Sequence, residues 1–152
     1  MNNLWAKDIS SSKRVTPYKM LSEQGNYLKG MTNHMVYCEI SKEIPYTADK
    51  IAFGYKLRGE GLGSYSYTLL TVEYPIELYP LTIQVDSEMK EEIEFDLEVI
   101  GVKFKRDNKI NVNNEKEFEN VLGYILASNR AKEIIINIMS LAQDIAAGTF
   151  EL

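Results

Sequence analysis

In four runs between Val36 and Val85 the apolar residues recur at every second position. Val36, Cys38 and Ile40 alternate with Tyr37, Glu39 and Ser41, and Pro45 ends the run. Ile51, Phe53, Tyr55 and Leu57 alternate with Ala52, Gly54, Lys56 and Arg58. In the third run Ser66, Thr68, Leu70 and Val72 lie opposite Tyr65, Tyr67, Leu69 and Thr71. A period of two marks strands with one buried face. The fourth run, Leu81, Ile83 and Val85, follows a segment bracketed by Pro75 and Pro80. Neither proline can donate to a ladder, so this part of the sheet is expected at an edge or broken by bulges.

On either side of these runs the period is helical. Thr16 and Pro17 read as an N-cap followed by proline at the first helical position. Met20, Leu21, Tyr27, Leu28 and Met31 then share one face of a helix ending near Thr32. Near the other end, Asn114 with Glu117 makes a capping-box-like start to a helix carrying Phe118, Val121, Leu122, Ile125 and Leu126 on one stripe. Ser128 caps a further helix with two apolar rows. Ile134, Ile138, Leu141 and Ile145 form one, and Ile135, Met139, Ala142 and Ala146 the other. A helix this apolar is either deeply buried or packed on a second chain, which makes a homodimer through the C-terminal helix one expectation.

The stretch EEIEFDLEVIGVKF fits both periods. Met89, Ile93, Leu97 and Ile100 match a helix, whereas Ile93, Phe95, Leu97 and Val99 match a strand without a miss. A helix would leave Phe95 and Val99 badly placed, so the reading adopted is a fifth strand. A bulge near Gly101 then reconciles it with Val102 and Phe104. The predicted fold is α+β: an antiparallel sheet of about five strands, preceded by one helix and followed by two C-terminal helices packed on one face. Residues 1–15 are a loose polar arm with only Leu4, Trp5, Ile9 and Val15 to bury, and residues 16–152 form one domain.

Composition narrows the function classes. A chain of 152 residues with 45% hydrophobic and 26% charged residues buries one real core. Its net charge of −5 has the wrong sign for binding nucleic acid by phosphate neutralisation. The lone Cys38 allows no intrachain disulfide and fits a reducing compartment. The start, MNNLWAKDISSSKR, has no apolar core of a signal peptide, and no run approaches the ~18 apolar residues of a membrane span. A cytoplasmic protein with no membrane association is expected. Frequent Ile, Lys and Asn fit an AT-rich bacterial or viral genome.

Candidate chemistry adds little. The segment GEGLG at residues 59–63 resembles a phosphate cradle, but a dinucleotide fingerprint needs GxGxxG followed by a helix, and here SYSYTLLTV follows. No Lys-Ser or Lys-Thr follows it, which excludes a P-loop. The glycines are read as a hairpin connection. His34, the single histidine, reads as a polar residue at a helix-to-strand connection. One His and one Cys give no metal-ligand spacing, and no cofactor, metal or catalytic residue is assigned.

Two surface features remain. As a strand, residues 92–98 would project Glu92, Glu94, Asp96 and Glu98 from one face about 6.6 Å apart, near the phosphate spacing of a nucleic-acid strand. A DNA mimic should avoid cations, and Lys103 and Lys105 continue that face, so a solvated face is preferred. Six of ten tyrosines (Tyr37, Tyr55, Tyr65, Tyr67, Tyr74 and Tyr79) fall in the predicted sheet region. Strand propensity accounts for most of them. The expected function is a small acidic interaction domain, an inhibitor, adaptor or regulator of another protein. Its expected partner site is Tyr65 and Tyr67 on one side of a strand, with Leu70 and Val72 opposite and Glu94, Asp96 and Glu98 nearby. The alternatives are an enzyme with a carboxylate or tyrosine pocket that no motif announces, and a structural subunit of a larger assembly.

Overall fold

A computed structural model describes residues 1–148. The elements are α1 (Pro17–Met31), β1 (Val36–Glu43), β2 (Lys50–Gly59), β3 (Ser66–Pro75), β4 (Leu81–Gln84), α2 (Ser87–Val99), β5 (Lys109–Val112), α3 (Glu115–Leu126) and α4 (Asn129–Ala146). The strands form one sheet in the order β1-β2-β3-β4-β5, each antiparallel to its neighbour. The architecture is α+β, with one helix before the sheet and two helices after it, as the periodicity predicts. A further helix, α2, interrupts the meander between β4 and β5.

Register places the apolar set of every strand on one face. Cys38 pairs with Leu57, Ile40 with Tyr55, Phe53 with Val72, Val72 with Ile83, and Ile83 with Ile110. Leu21 of α1, Met89, Ile93 and Leu97 of α2, Phe118, Val121 and Ile125 of α3, and Ile138 of α4 join these residues in one buried cluster. Each such side chain contributes about 1.5–3 kcal/mol by leaving water. The other face carries Glu39, Ser41, Lys56, Arg58, Thr71, Glu73, Thr82 and Gln84 and stays solvated, with Arg58 paired to Glu39 at 2.9 Å.

The glycine segment connects β2 to β3. Gly61 and Gly63 hold positive φ, and Arg58 Nη2 donates to the Gly63 carbonyl. Leu62 folds under the turn and is buried. Gly59 has a different reason to lack a side chain. A Cβ there would come within 2.6 Å of Ile138 Cγ2 and 2.5 Å of Leu62 Cδ1, so the glycine lets α4 press onto β2.

Three expectations are corrected. Residues 87–99 are a helix, not a fifth strand. Asp86 caps it by accepting from the Met89 amide at 2.8 Å, and Met89, Ile93 and Leu97 bury one stripe. Gly101 ends this helix instead of marking a bulge. Its φ is +85°, its amide donates to Glu98 O at 3.0 Å, and the Val102 amide donates to Leu97 O at 2.9 Å. This double closure is a Schellman cap, with buried Val102 as its hydrophobic partner. The fifth strand is the short β5, whose Ile110 and Val112 are fully buried.

The second correction concerns β3. The register slips between Tyr55 and Lys56, because Tyr55 faces Leu70 while Lys56 faces Thr68, leaving Leu69 as the extra residue of a bulge. One extra residue reverses the parity of the strand. Tyr67, opposite Leu57, therefore points to the same side as Leu70 and Val72, not away from them. Third, β4 lies inside the sheet, between β3 and β5. Pro75 closes β3 and Pro80 stands just before β4, so neither interrupts the β4 ladder.

Close packing at Gly59 gives a signed test. Gly59→Ala should destabilise the fold by about 1–3 kcal/mol through overpacking against Ile138. Gly30→Ala, in the last turn of α1 with nothing within 4 Å of the added methyl, should stabilise it by up to about 1 kcal/mol. Urea melts of the two variants should move in opposite directions, and equal shifts would contradict the packing described.

Candidate functional site

Asp86 ties three elements together. It caps α2, accepts the Tyr67 hydroxyl from β3, and accepts Nε and Nη2 of Arg130, at the start of α4, at 3.2 and 3.0 Å. Arg130 also reaches Glu88 through Nη1 at 2.7 Å and lies over the Tyr67 ring at 5.5 Å. Burial works to raise the Asp86 carboxyl. Hydrogen bonds from Tyr67, the Met89 amide and Arg130 outweigh it, and the pKa is lowered. Tyr67 is pushed up to about 12 by burial first and by Asp86 second, so its hydroxyl remains a donor at neutral pH. Glu92 completes the junction by accepting the Asn129 amide at 2.7 Å and the Arg130 amide at 2.9 Å, at the N-terminus of α4.

These contacts fix the meaning of the acidic stretch. A helix turns about 100° per residue, so Glu94, Asp96 and Glu98 no longer line up, and the phosphate-like ladder of a strand is lost. Glu94 lies on one flank, paired to Lys90 at 3.8 Å. Asp96 and Glu98 stand on either side of a stripe formed by Phe95 and Val99, one turn apart. Phe95 is 74% exposed and Val99 71% exposed, with Ile100 also exposed beside them. Among the described residues Glu91, Asp96 and Glu98 have no ion-pair partner. The last turn of α2 contains no basic residue. Asp96 and Glu98 therefore sit at the negative end of the helix dipole, where carboxylates are unfavourable.

The tyrosines disperse. Tyr55 and Tyr74 are core residues, Tyr67 is half-buried in the Asp86 junction, and Tyr65 is exposed just before β3. Tyr65 and Tyr67 thus do not stand together over one patch. Tyr67 meets the N-terminus of α2, whereas Glu98 lies about 18 Å along the helix from Asp86. Phe95 is the aromatic residue that the structure sets among the carboxylates. The alternation of residues 93–99 concealed it by assigning it a buried place. The signals that could have found it are the Asp86 cap, the Gly101 stop and the four-residue spacing of Met89, Ile93 and Leu97.

Other reactive residues are engaged in the fold. Burial raises the Cys38 thiol, against a hydrogen bond with Tyr55, which keeps it protonated at neutral pH. Tyr55 donates to Leu21 O at 2.7 Å. His34 is exposed in the connection from α1 to β1, with a φ of 67° and its amide bonded to Lys29 O at 2.8 Å. Among the described residues no group of three or more His, Cys, Asp or Glu is placed to hold a metal ion, and no helix is long and apolar enough to cross a membrane.

No protein-family model matches the chain, and comparison with curated proteins and with solved structures likewise gives no match.

Asparagine caps a helix as well as aspartate does, so Asp86→Asn isolates the charge. It should cost about 1–2 kcal/mol at neutral pH, a range that allows for the partial exposure of the pair. The folded pKa lies below the unfolded one. The stabilisation is therefore complete above the ordinary aspartate value of about 3.9 and is lost as pH falls through the lower folded value. Urea unfolding from neutral pH into acid should show the two proteins converging, and a constant gap would uncouple the Asp86 charge from stability.

Proposed function

We propose that this chain is a non-enzymatic interaction domain, an inhibitor, adaptor or regulator working in the cytoplasm, which grips another protein through the outward face of α2. The observation that carries the reading is the exposed Phe95–Val99 stripe flanked by Glu91, Asp96 and Glu98. An aromatic anchor ringed by charge has the anatomy of a protein interface, with the ring buried at the centre and the carboxylates steering at the rim. The partner surface that fits is an apolar pocket bordered by Lys or Arg.

Stability supports the same reading. Phe95 and Val99 leave most of their surface in water, and the carboxylates of the last turn oppose the helix dipole. Local choices that run against the fold concentrate at functional surfaces. Glu88 and Glu92, in the first half of α2, satisfy Arg130 and the start of α4 and are accounted for by folding alone.

The test is the exposed pair. A partner captured by the wild-type chain should bind the Phe95→Ser/Val99→Ser variant at least about 30-fold more weakly, the loss of one hot spot of about 2 kcal/mol. Thermal stability should be unchanged. Glu98→Lys should raise stability by about 0.3–1 kcal/mol through the helix dipole while slowing association and flattening its salt dependence. A folded serine double variant with full affinity would refute the site.

A further inference from the structure

A second apolar surface lies between α1 and α4. Helices α1 and α4 both cover the sheet but leave a groove of about 480 Å³ between them. Its walls are Tyr27, Leu28 and Met31 of α1 and Ile135, Ile136 and Met139 of α4, over a floor that includes Leu57 and Leu69. Met31, Leu126 and Ala127 also line a neighbouring cleft between α1 and α3, rimmed by Glu23, Glu115 and Glu119 and entered by Val15. The two form one trough, apolar at one end and acidic at the other. Glu23 and Glu115 have no ion-pair partner among the described residues.

The N-terminal arm has the complementary character. All of residues 1–15 are exposed, with Leu4 at 83% and Trp5 at 78%. Among the described residues no hydrogen bond or ion pair joins residues 1–15 to the rest of the chain. The arm carries Lys7, Lys13 and Arg14 against the single carboxylate of Asp8, in a chain whose net charge is −5. Leu4, Trp5 and Ile9 precede its paired cations, Lys13 and Arg14, which lie close to α1.

We propose that the trough is the docking site for the N-terminal arm of a second copy of this chain, exchanged reciprocally. Leu4, Trp5 and Ile9 of one copy fill the apolar groove of the other, and Lys13 and Arg14 face Glu23, Glu115 and Glu119. Of residues 1–15 only Val15 lines the chain's own trough, and none lines its apolar groove, while the arm's reach of about 50 Å when extended is ample to cross to a neighbour. Exchange of an identical element closes a two-fold pair without new surfaces. Arm and trough together supply on the order of 30 residues per chain, the size of a standard stable interface. The homodimer then engages α4 through Ile135, Ile136 and Met139. Ile138 and Ala142 are buried in the chain's own core, and Ile134, Ile135, Met139, Leu141 and Ile145 pack against it half-buried, so Ile136 is the most exposed of the apolar groove residues on α4.

Trp5 is the sole tryptophan, so its emission reports the arm alone. The full chain should sediment as a dimer at high micromolar concentration. The Trp5 emission should shift to the blue as concentration rises, and added salt should reverse both changes. Two full-length variants test the two halves: Leu4→Ser/Trp5→Ser/Ile9→Ser removes the anchors, and Ile136→Glu, at an exposed position, charges the mouth of the groove. Each should be a folded protein whose dimer dissociates about 30-fold more readily, the effect of losing a buried anchor. Mixing the two should give a 1:1 pair tighter than either variant's own dimer, since one of its two contacts joins an intact arm to an intact trough. A monomer with blue-shifted Trp5 at every concentration would show docking within one chain and overturn the proposal. A dimer insensitive to both variants, or a monomer with solvent-exposed Trp5, would overturn it equally.

Discussion

Asp86 must satisfy a helix, a strand and a cation at once, and the arrangement of the second half of the chain follows from that. As the cap of α2 it fixes where the helix begins. As acceptor for Tyr67 it holds that helix against the start of β3, and through Arg130 it draws in the start of α4. The junction is half exposed, so its net worth is modest beside the buried cluster. Its role is geometric. Apolar burial alone would tolerate several positions of α2 on the sheet, whereas a carboxylate with three fixed donors tolerates few.

The same helix divides its acids by position. Glu88 and Glu92 lie in its first half, where negative charge suits the helix dipole, and both are engaged by Arg130 or the α4 N-terminus. Asp96 and Glu98 lie in its last half, where the dipole disfavours them. The exposed Phe95 and Val99 lie between them. One half of α2 serves the fold, and the other presents an unfavourable surface to solvent. The proposed binding role for that second half would account for the conflict without assigning any strain to the core.

The two proposed surfaces differ in chemistry, which keeps them separable. The α2 stripe is a raised apolar ridge among carboxylates and suits a concave, basic partner. The trough between α1, α3 and α4 is concave and suits an inserted segment. An arm of basic and apolar residues meets that requirement from within the same sequence. Variants in one surface leave the other intact, so self-association and partner binding are independently measurable.

How much of this was legible in the sequence depended on whether a residue's placement was decided locally. The period of two in residues 36–85, the caps at Thr16, Asn114 and Ser128, and the glycine turn at 59–63 are set by neighbours within a few positions, and the fold class follows from them. Four features needed the tertiary structure. The bulge at Leu69 turns Tyr67 toward the core, and only pairing with β2 reveals it. Residues 87–99 carry both periods. The helix wins because Met89, Ile93 and Leu97 find a buried stripe to fill and Asp86 finds Tyr67 and Arg130, partners 19 and 44 residues away. β5 is too short for periodicity to mark, and it exists because β4 offers it an edge. The exposed Phe95 inverts the sequence expectation for an aromatic residue in an alternating run. Local pattern gives the faces an element can have, and only the elements packed around it decide which face is buried.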